Sequence, residues 1–207
     1  MKFKTEQEAF WYGEFGNEYL TRNTADLYLP SNIRLFSKIL EKTTNIDSVL
    51  EFGANIGLNL RAIQTLLPNV RCSAIEINEK AVSVLKNVID INDGDIFQNS
   101  ILEFEPKKLY DLTLIKGVLI HINPDELNNV YQKLYESSSK YICVAEYYNP
   151  SPISINYRGH ENRLFKRDFV GEILNLYPDL KLVDYGFVYH RDNNFPQDDI
   201  TWFLLEK

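Results

Sequence analysis

The sequence predicts an α/β protein with one seven-stranded, mostly parallel sheet, helices on both of its faces and an antiparallel last strand. From residue 47 onward, short apolar runs alternate with segments whose apolar residues recur at helical spacing, which is typical of strands alternating with crossover helices. The glycine-rich segment 53–57 follows the first apolar run directly. The last two runs are joined only by residues 191–199, which is too short a connection for a helical crossover, so we expect them to pair antiparallel.

Each predicted strand is a short apolar run bounded by polar or turn residues. The predicted strands are residues 48–52, 71–77, 95–98, 110–115, 141–147, 180–189 and 200–205. The predicted helices carry apolar residues on one face, as Ala81 and Leu85 do in the second of them. These helices are residues 58–67, 78–90, 125–136 and 166–177. Pro68 and Pro178 follow two of the helix ends, and Pro124 stands near the first position of a third helix.

The length of 207 residues suits a single sizeable core, and no repeat or linker divides the chain. We expect one structural domain, in which residues 1–45 form a helical and aromatic arm and lid and residues 46–207 form the ligand-binding part. The net charge of −7 and the lack of a long basic run argue against a nucleic-acid partner. A local basic cluster can still bind an anionic small molecule.

The two cysteines, Cys72 and Cys143, lie in apolar runs, which indicates buried thiols and no disulfide framework. Together with the three histidines they offer no metal-ligand spacing, so we expect no metal. No apolar run approaches the ~18 residues of a membrane-spanning helix, and the N-terminus lacks the pattern of a signal peptide. We therefore expect a cytoplasmic protein with no membrane partner, and the sequence leaves the oligomeric state open.

The turn at residues 51–57 lies where open α/β sheets bind ligands, at the carboxyl end of a strand. Gly53 and Gly57 are spaced G-x-x-x-G, so both the dinucleotide fingerprint G-x-G-x-x-G and the P-loop are absent, which argues against hydride transfer. Glu51 disfavours a nearby pyrophosphate but suits the amino group and sulfonium of S-adenosylmethionine. Glu76, near the end of the second strand, stands where an acid can hydrogen-bond a ribose diol.

Residues 49–57 resemble motif I of the class I S-adenosylmethionine-dependent methyltransferases, and Glu76 matches the ribose-binding acid of that family. The resemblance implies their Rossmann-like sheet, S-adenosylmethionine as cofactor and S-adenosylhomocysteine as product. It also implies a set of cofactor-binding residues around the turn and after the neighbouring strands, namely Glu51, Gly53, Ala54, Asn55, Gly57, Glu76, Ile77, Ser100, Ile101 and Lys116.

Two segments near the predicted site are candidates for binding a methyl acceptor. Residues 10–23 are rich in aromatic side chains and form either an arm that packs on the sheet or a lid, in which Tyr12, Tyr19 and Arg22 contact the substrate. His121 follows the fourth strand and could act as a general base or form a hydrogen bond with the substrate. The alternative is a histidine that caps the following helix or packs under the loop.

Residues 148–163 are predicted to be a long polar and aromatic loop that begins at Tyr148. Arg158 and Arg163 concentrate positive charge around this loop in an otherwise acidic protein. Guanidinium groups suit a phosphate or carboxylate on the acceptor, while local ion pairs with acidic neighbours are the alternative. The loop therefore predicts a small, possibly anionic acceptor.

Outer segments of the chain resemble the methylases associated with pseudaminic acid biosynthesis; these segments are residues 10–19, 119–124, 146–150, 157–160 and 164–169. This resemblance implies that the acceptor is a nonulosonic acid or a nucleotide-sugar precursor. A sugar hydroxyl needs a base or a hydrogen-bond acceptor as its proton leaves. The candidates for that role are His121, His160, Glu146 and Tyr157. The alternatives are a methyltransferase of another small metabolite and a catalytically silent S-adenosylmethionine-binding regulatory protein, and the acceptor atom, oxygen or nitrogen, stays open.

Overall fold

A computed structural model describes residues 3–20 and 25–207 of the chain. Its strands, in chain order, are β1 Ser48–Phe52, β2 Arg71–Ile75, β3 Ile96–Phe97, β4 Tyr110–Lys116, β5 Ser138–Glu146, β6 Ile153–Tyr157, β7 His160–Lys166, β8 Lys181–Val188 and β9 Ile200–Glu206. Seven of them form one sheet in the order β3-β2-β1-β4-β5-β9-β8. The first five strands of this sheet are parallel, and β9 is antiparallel to both of its neighbours. The predicted fold class is therefore confirmed.

The described helices are α1 Glu6–Tyr12, α2 Glu14–Tyr19, α3 Ala25–Leu40, α4 Leu58–Leu66, α5 Glu79–Val88, α6 Leu127–Ser137 and α7 Phe169–Leu176. Side-chain caps fix several starts: Thr5 and Glu8 form a capping box on α1, and Asn78 and Asp168 accept backbone N–H groups at the starts of α5 and α7. In the described part of the chain, no helix combines the length and apolar character that crossing a membrane requires.

The core has two layers because alternate residues of each buried strand face opposite sides of the sheet. Val49 of β1 packs in one layer with α3, α4 and α5, whereas Leu50 and Phe52 pack in the other with α6 and α7. All three side chains are fully buried. Helices therefore cover both faces of the sheet, which leaves the carboxyl ends of the strands as the open edge where a ligand can enter.

The predicted loop at residues 148–163 is wrong, since β6 and β7 form an antiparallel hairpin there. Tyr157 pairs with His160 across a two-residue turn, in which Arg158 and Gly159 both have positive φ. Two consecutive positive φ angles define the turn that matches the twist of a hairpin. The sequence did not predict the hairpin because Leu164 is its only buried hydrophobic residue. Apolar and polar residues therefore do not alternate clearly along its strands.

Because β9 lies inside the sheet, its buried side chains should contribute measurably to the free energy of unfolding. Leu204 lies in β9 between β5 and β8 and is fully buried, whereas Leu182 on the edge strand β8 is 46% exposed. Leu204→Ala should lower the free energy of unfolding by about 2–5 kcal/mol, because it opens a cavity in the core. Leu182→Ala is the matched control and should change it by about 0.5 kcal/mol or less. Urea denaturation measures both, and equal losses would contradict the burial of β9.

Candidate cofactor and acceptor site

A cavity of about 340 Å³ opens at the carboxyl edge of the sheet. Its walls come from residues that follow β1, β2, β4 and β5 and from the start of β9, and α1 and α2 cover it from outside. Ligand pockets typically measure about 300–1,000 Å³. The cavity thus has the size and the position of a small-molecule site in an open α/β sheet.

The glycine turn after β1 brings backbone to the cavity wall. Gly53 and Ala54 donate their N–H groups to the Ile75 carbonyl at 2.9 and 3.0 Å, which ties the turn to β2. Gly53 has a φ of +75°, and a Cβ built on it would lie 2.6 Å from Cγ2 of Val118. Asn55 also has a positive φ, which asparagine tolerates better than most residues. The turn therefore requires glycine at 53 both for its conformation and for space.

Glu76 joins two elements at the cavity wall. Its carboxylate accepts the Asn55 N–H at 2.7 Å and the Asn78 N–H at 2.8 Å, so it links the glycine turn to the start of α5. Burial raises its pKa, and these backbone N–H groups oppose the rise. Each carboxylate oxygen has a further lone pair, and the side chain lines the cavity. Glu76 is therefore available to a ribose diol.

Glu51 lies one layer behind the cavity wall. It is fully buried and accepts the Asn59 amide at 2.6 Å, and it is Asn59 that lines the cavity. Burial raises the pKa of Glu51 to about 8, while Asn59 and the charge of Lys116 oppose the rise. Burial also lowers the pKa of Lys116, which lines the cavity at the end of β4. The predicted cofactor-binding residue Glu51 is therefore separated from the cavity by Asn59.

The arm formed by α1 and α2 is attached to the carboxyl edge through Asn78 and Glu8. The Asn78 amide donates to the Trp11 and Tyr12 carbonyls, both at 3.3 Å, and to Asn17 Oδ1 at 3.1 Å. Glu8 accepts the Ser100 hydroxyl, next to the end of β3. These bonds hold the arm against the part of the edge where Glu76 lies.

A second set of contacts attaches the arm to the β6–β7 hairpin and to the turn before α6. Lys4 pairs with Glu126 at 2.9 Å, and Arg163 pairs with Glu6 at 3.1 Å. The Gln7 amide donates to the carbonyl beside Arg163, that of Asn162, at 3.1 Å. Arg163, a predicted acceptor-binding residue, therefore attaches the arm to the hairpin and does not line the cavity.

His121 presents a neutral imidazole to the cavity. Its Nδ1 lies 2.6 Å from the Arg163 carbonyl oxygen, which only accepts hydrogen bonds, so Nδ1 carries the proton and Nε2 is the unprotonated nitrogen. Burial lowers the pKa of His121 to about 4. Its ring lies 4.6 Å from that of Trp11 and 5.0 Å from that of Tyr157, measured between centroids. His121 is thus held by the hairpin in the form that can accept a proton.

Glu146 supports the turn that carries His121. Its Oε1 accepts the Val118 and Leu119 N–H groups, each at 2.9 Å, and burial raises its pKa to about 7. The side chain is buried and is not part of the cavity wall, so the structure does not place it as a base on the acceptor. It fixes the backbone two residues before His121.

Twelve of the predicted site residues line the cavity: Tyr19, Gly53, Ala54, Asn55, Glu76, Ile77, Ser100, Ile101, Lys116, His121, Tyr157 and Arg158. The described residues that do not line it are Tyr12, Glu51, Gly57, Glu146, Tyr148, His160 and Arg163. Tyr148 is exposed beside Phe203, and His160 is exposed with its ring 5.0 Å from that of Phe10 in the arm. Arg22 lies outside the described residues.

Several lining residues were not predicted: Glu8, Trp11, Tyr28, Asn32, Asn59, Asn78, Tyr147 and Asp198. Trp11 belongs to the aromatic segment already suspected, and Asn59 follows the glycine turn by two residues, so proximity could have indicated both. Tyr28 and Asp198 carry no sequence signal, since only the tertiary fold brings α3 and the loop before β9 to this edge. Among the described residues no cluster of three or more His, Cys, Asp or Glu side chains can hold a metal ion.

Solved structures with a similar fold are S-adenosylmethionine-dependent methyltransferases. One from Leishmania major has a TM-score of 0.70 at 15% identity and covers 99% of this chain and 87% of its own. The 1,6-didemethyltoxoflavin-N1-methyltransferase of Burkholderia thailandensis, solved with 1,6-didemethyltoxoflavin and S-adenosylhomocysteine, has a TM-score of 0.67 at 14% identity, covering 97% and 86%. One from Clostridium acetobutylicum has a TM-score of 0.63 at 13% identity, covering 93% and 97%.

No family profile and no curated protein match the sequence. The likeness to the solved structures therefore defines the fold: the chain has the Rossmann-like fold of the class I S-adenosylmethionine-dependent methyltransferases.

The buried Glu51 predicts a pH-dependent stability. Its folded pKa of about 8 lies above the ordinary 4.5, so the folded state holds the proton more tightly than the unfolded state. Its stabilising contribution is complete below pH 4.5 and is lost as the pH rises to about 8. Glu51→Gln keeps the bond from Asn59 and removes the ionisation. We expect the free energy of unfolding of the wild type to fall relative to the variant over this range, as measured by urea denaturation.

The exposed Glu41→Gln is the control for this pH series, because Glu41 is 62% exposed at the end of α3 and faces solvent. The pH dependence of the difference between Glu51→Gln and the wild type should exceed that of Glu41→Gln. A pH dependence no larger than that of the control would contradict a protonated Glu51 in the folded chain.

Proposed function

We propose that the protein is an S-adenosylmethionine-dependent methyltransferase that acts on a small molecule. The observation that carries the proposal is the set of groups at the carboxyl edge: a glycine turn that requires Gly53, the Glu76 carboxylate on the next strand, and a cavity closed by an aromatic arm. The solved structures of similar fold support the same cofactor. The cavity of about 340 Å³ beneath the arm suits an acceptor smaller than a nucleic acid or a protein. The cytoplasmic location stays a prediction.

The residues present fit S-adenosylmethionine. In this proposal Glu76 binds the ribose hydroxyls, and Ser100 and Ile101 lie beside the adenine. Gly53 leaves room for the methionine part, whose polar groups face Asn59 and Lys116. The buried Oδ1 of Asn59 has no hydrogen-bond partner among the described residues, so it is free to accept from an amino group. When bound, the cofactor supplies an electrophilic methyl group on a sulfonium.

The acceptor, in this proposal, lies between the arm and the residues that follow β4 and β5. His121 accepts at Nε2 the proton that the nucleophilic O–H or N–H of the acceptor loses, and Glu146 positions the turn that carries His121. Tyr157 and Trp11 pack beside the imidazole and exclude water from it. Residues 1–45 then serve as arm and lid, with Tyr19 on the wall of the cavity.

We further propose that the acceptor is a sugar or nucleotide sugar of nonulosonic acid metabolism. Support comes from the resemblance of the outer segments to the methylases associated with pseudaminic acid biosynthesis. The cavity offers Arg158, at the hairpin turn, for an anionic group, with its guanidinium 5.7 Å from the Tyr157 ring centroid. Three residues that do not line the cavity contact neither the cofactor nor the acceptor in this proposal, namely His160, Tyr148 and Arg163.

The cofactor site is tested by Gly53→Arg. The side chain would enter the space beside Val118 and would also strain a backbone with a φ of +75°, so binding of S-adenosylhomocysteine in titration calorimetry should be lost. Gly94→Arg is the matched control, because a Cβ at Gly94 meets no atom within 4 Å. Circular dichroism verifies that both variants fold. Retained affinity in a folded Gly53→Arg protein would overturn the cofactor assignment.

The proton acceptor is tested by His121→Gln in an assay with labelled S-adenosylmethionine and a nucleotide-sugar pool. We expect kcat to fall by about 10²–10⁴ while the affinity for S-adenosylhomocysteine stays unchanged, since a general base acts on the transition state. His160→Gln, outside the cavity, should retain wild-type turnover. Cofactor binding by the wild type without any acceptor-dependent turnover would favour the silent regulatory protein.

A further inference from the structure

The loop between β8 and β9 brings a carboxylate to the end of the cavity that is remote from Glu76. Because β9 runs antiparallel to β5, Glu146 pairs with Thr201, and the residues before β9 meet those after β5. Asp198 and Tyr147 consequently line the cavity together. Strand spacings of about 4.8 Å place β5 about 14 Å from β2, the strand that precedes Glu76. Asp198 is therefore separated from the ribose end of the site.

The position of Asp198 is fixed although its side chain is exposed. On one side of it, the Gln197 amide donates to Asn32 Oδ1 at 3.0 Å, and both of these side chains are buried. On the other side, the Asp199 carboxylate accepts the His190 N–H at 3.1 Å and lies 2.9 Å from the His190 Nδ1. The loop is thus attached to α3 and to the end of β8, and it holds the intervening carboxylate at the cavity.

Two tyrosines surround this carboxylate. Tyr28 of α3 and Tyr147 both line the cavity, and burial together with the Asp198 charge raises the pKa of each. The Tyr147 hydroxyl also donates a hydrogen bond to the Asp198 carboxylate. The Tyr147 ring already contacts one cation, because the Lys166 ammonium lies over the ring at 4.9 Å from the ring centroid. A carboxylate beside electron-rich rings is the arrangement that binds a positively charged nitrogen.

The other two carboxylates among the described residues of the wall, those of Glu76 and Glu8, are bonded to backbone or side-chain groups of the fold. Glu76 accepts two backbone N–H groups, and Glu8 accepts the Ser100 hydroxyl and caps α1. Arg158, from the hairpin turn, is near enough to Tyr28 to lower its pKa, opposing the effect of Asp198. The same end of the cavity therefore offers a group for a cation and a group for an anion.

We propose that Asp198, Tyr28 and Tyr147 bind a positively charged nitrogen of the methyl acceptor, so that the acceptor is an amine-bearing small molecule. This subsite rests on the proposed function for its meaning as an acceptor site. The same chemistry has a second source, the α-ammonium group of the cofactor. Asn59 and Lys116 already serve the methionine part in the proposed arrangement, and Asp198 precedes β9 on the far side of β5. Because the Asp198 charge also acts on Lys116, the test measures the affinity for the cofactor product separately.

The test uses choline and its neutral isostere 3,3-dimethyl-1-butanol as probes. Their binding is measured by ligand-observed NMR, with and without S-adenosylhomocysteine, and the affinity for S-adenosylhomocysteine is measured separately by calorimetry. Asp198→Asn removes the charge at the subsite. Asp192→Asn is the matched control, because it removes the same charge from an exposed position in the same loop and keeps an acceptor for the Asn194 and Phe195 N–H groups.

We expect the wild type with S-adenosylhomocysteine bound to prefer choline over the neutral probe, and Asp198→Asn to weaken choline about fivefold or more. Asp192→Asn should leave this preference unchanged. Equal binding of the two probes, or no loss in Asp198→Asn, would overturn the proposal even if S-adenosylhomocysteine binds. A loss of S-adenosylhomocysteine affinity in Asp198→Asn, with choline unaffected, would assign the carboxylate to the cofactor and also overturn it. Choline binding that depends on Asp198 without any binding of S-adenosylhomocysteine would keep the subsite and reject the proposed function.

Discussion

The position of the elements around the cavity depends on the hydrogen bonds that the Glu76 carboxylate accepts. This carboxylate bonds the backbone of Asn55 in the glycine turn and that of Asn78 at the start of α5. Asn78 in turn caps α5 through Ala81 and donates to the arm at Trp11 and its neighbours. Glu76 thus connects the turn and a crossover helix directly, and the arm through Asn78. Burial disfavours its charge, and the two N–H groups compensate, which fixes both elements relative to the cavity.

This arrangement couples the arm to the chemistry at the carboxyl edge. The hairpin carbonyl that fixes the tautomer of His121 belongs to Arg163, whose side chain pairs with Glu6 of the arm. Docking of the arm and orientation of the imidazole therefore share one hairpin strand. The arm is also held by several exposed or half-exposed polar contacts, and such contacts are individually weak. If the proposed function holds, release of these weak contacts would let a cofactor and an acceptor enter and leave.

The sequence predicts those elements of the fold whose apolar pattern matches their burial in the structure. The strand before Gly53 and the acid at Glu76 follow from apolar runs and spacing, and the antiparallel end of the sheet follows from a short connection. The β6–β7 hairpin did not follow, because most of its side chains are exposed and its turn is Arg158-Gly159. Leu164 alone gives too little periodicity to reveal a strand.

The residues that line the cavity also fall into a predicted and an unpredicted group. Those at or after strand ends, such as Lys116 and His121, were predicted because the topology brings the carboxyl ends of the strands together. The type of side chain alone does not show whether a residue contacts a ligand or another part of the protein. Glu146 bonds the turn after β4 and Arg163 pairs with the arm, although a carboxylate and a guanidinium also suit a substrate. Asp198 was missed because its place depends on the direction of β9 and on the anchors of its loop.

A crystal structure of the protein with S-adenosylhomocysteine would test the proposed cofactor site directly. We expect the ribose hydroxyls to lie within hydrogen-bond distance of Glu76 and the homocysteine part to lie between Gly53 and Lys116 under the arm. Density for the ligand at another place, or none in the cavity at a saturating concentration, would contradict the proposed site.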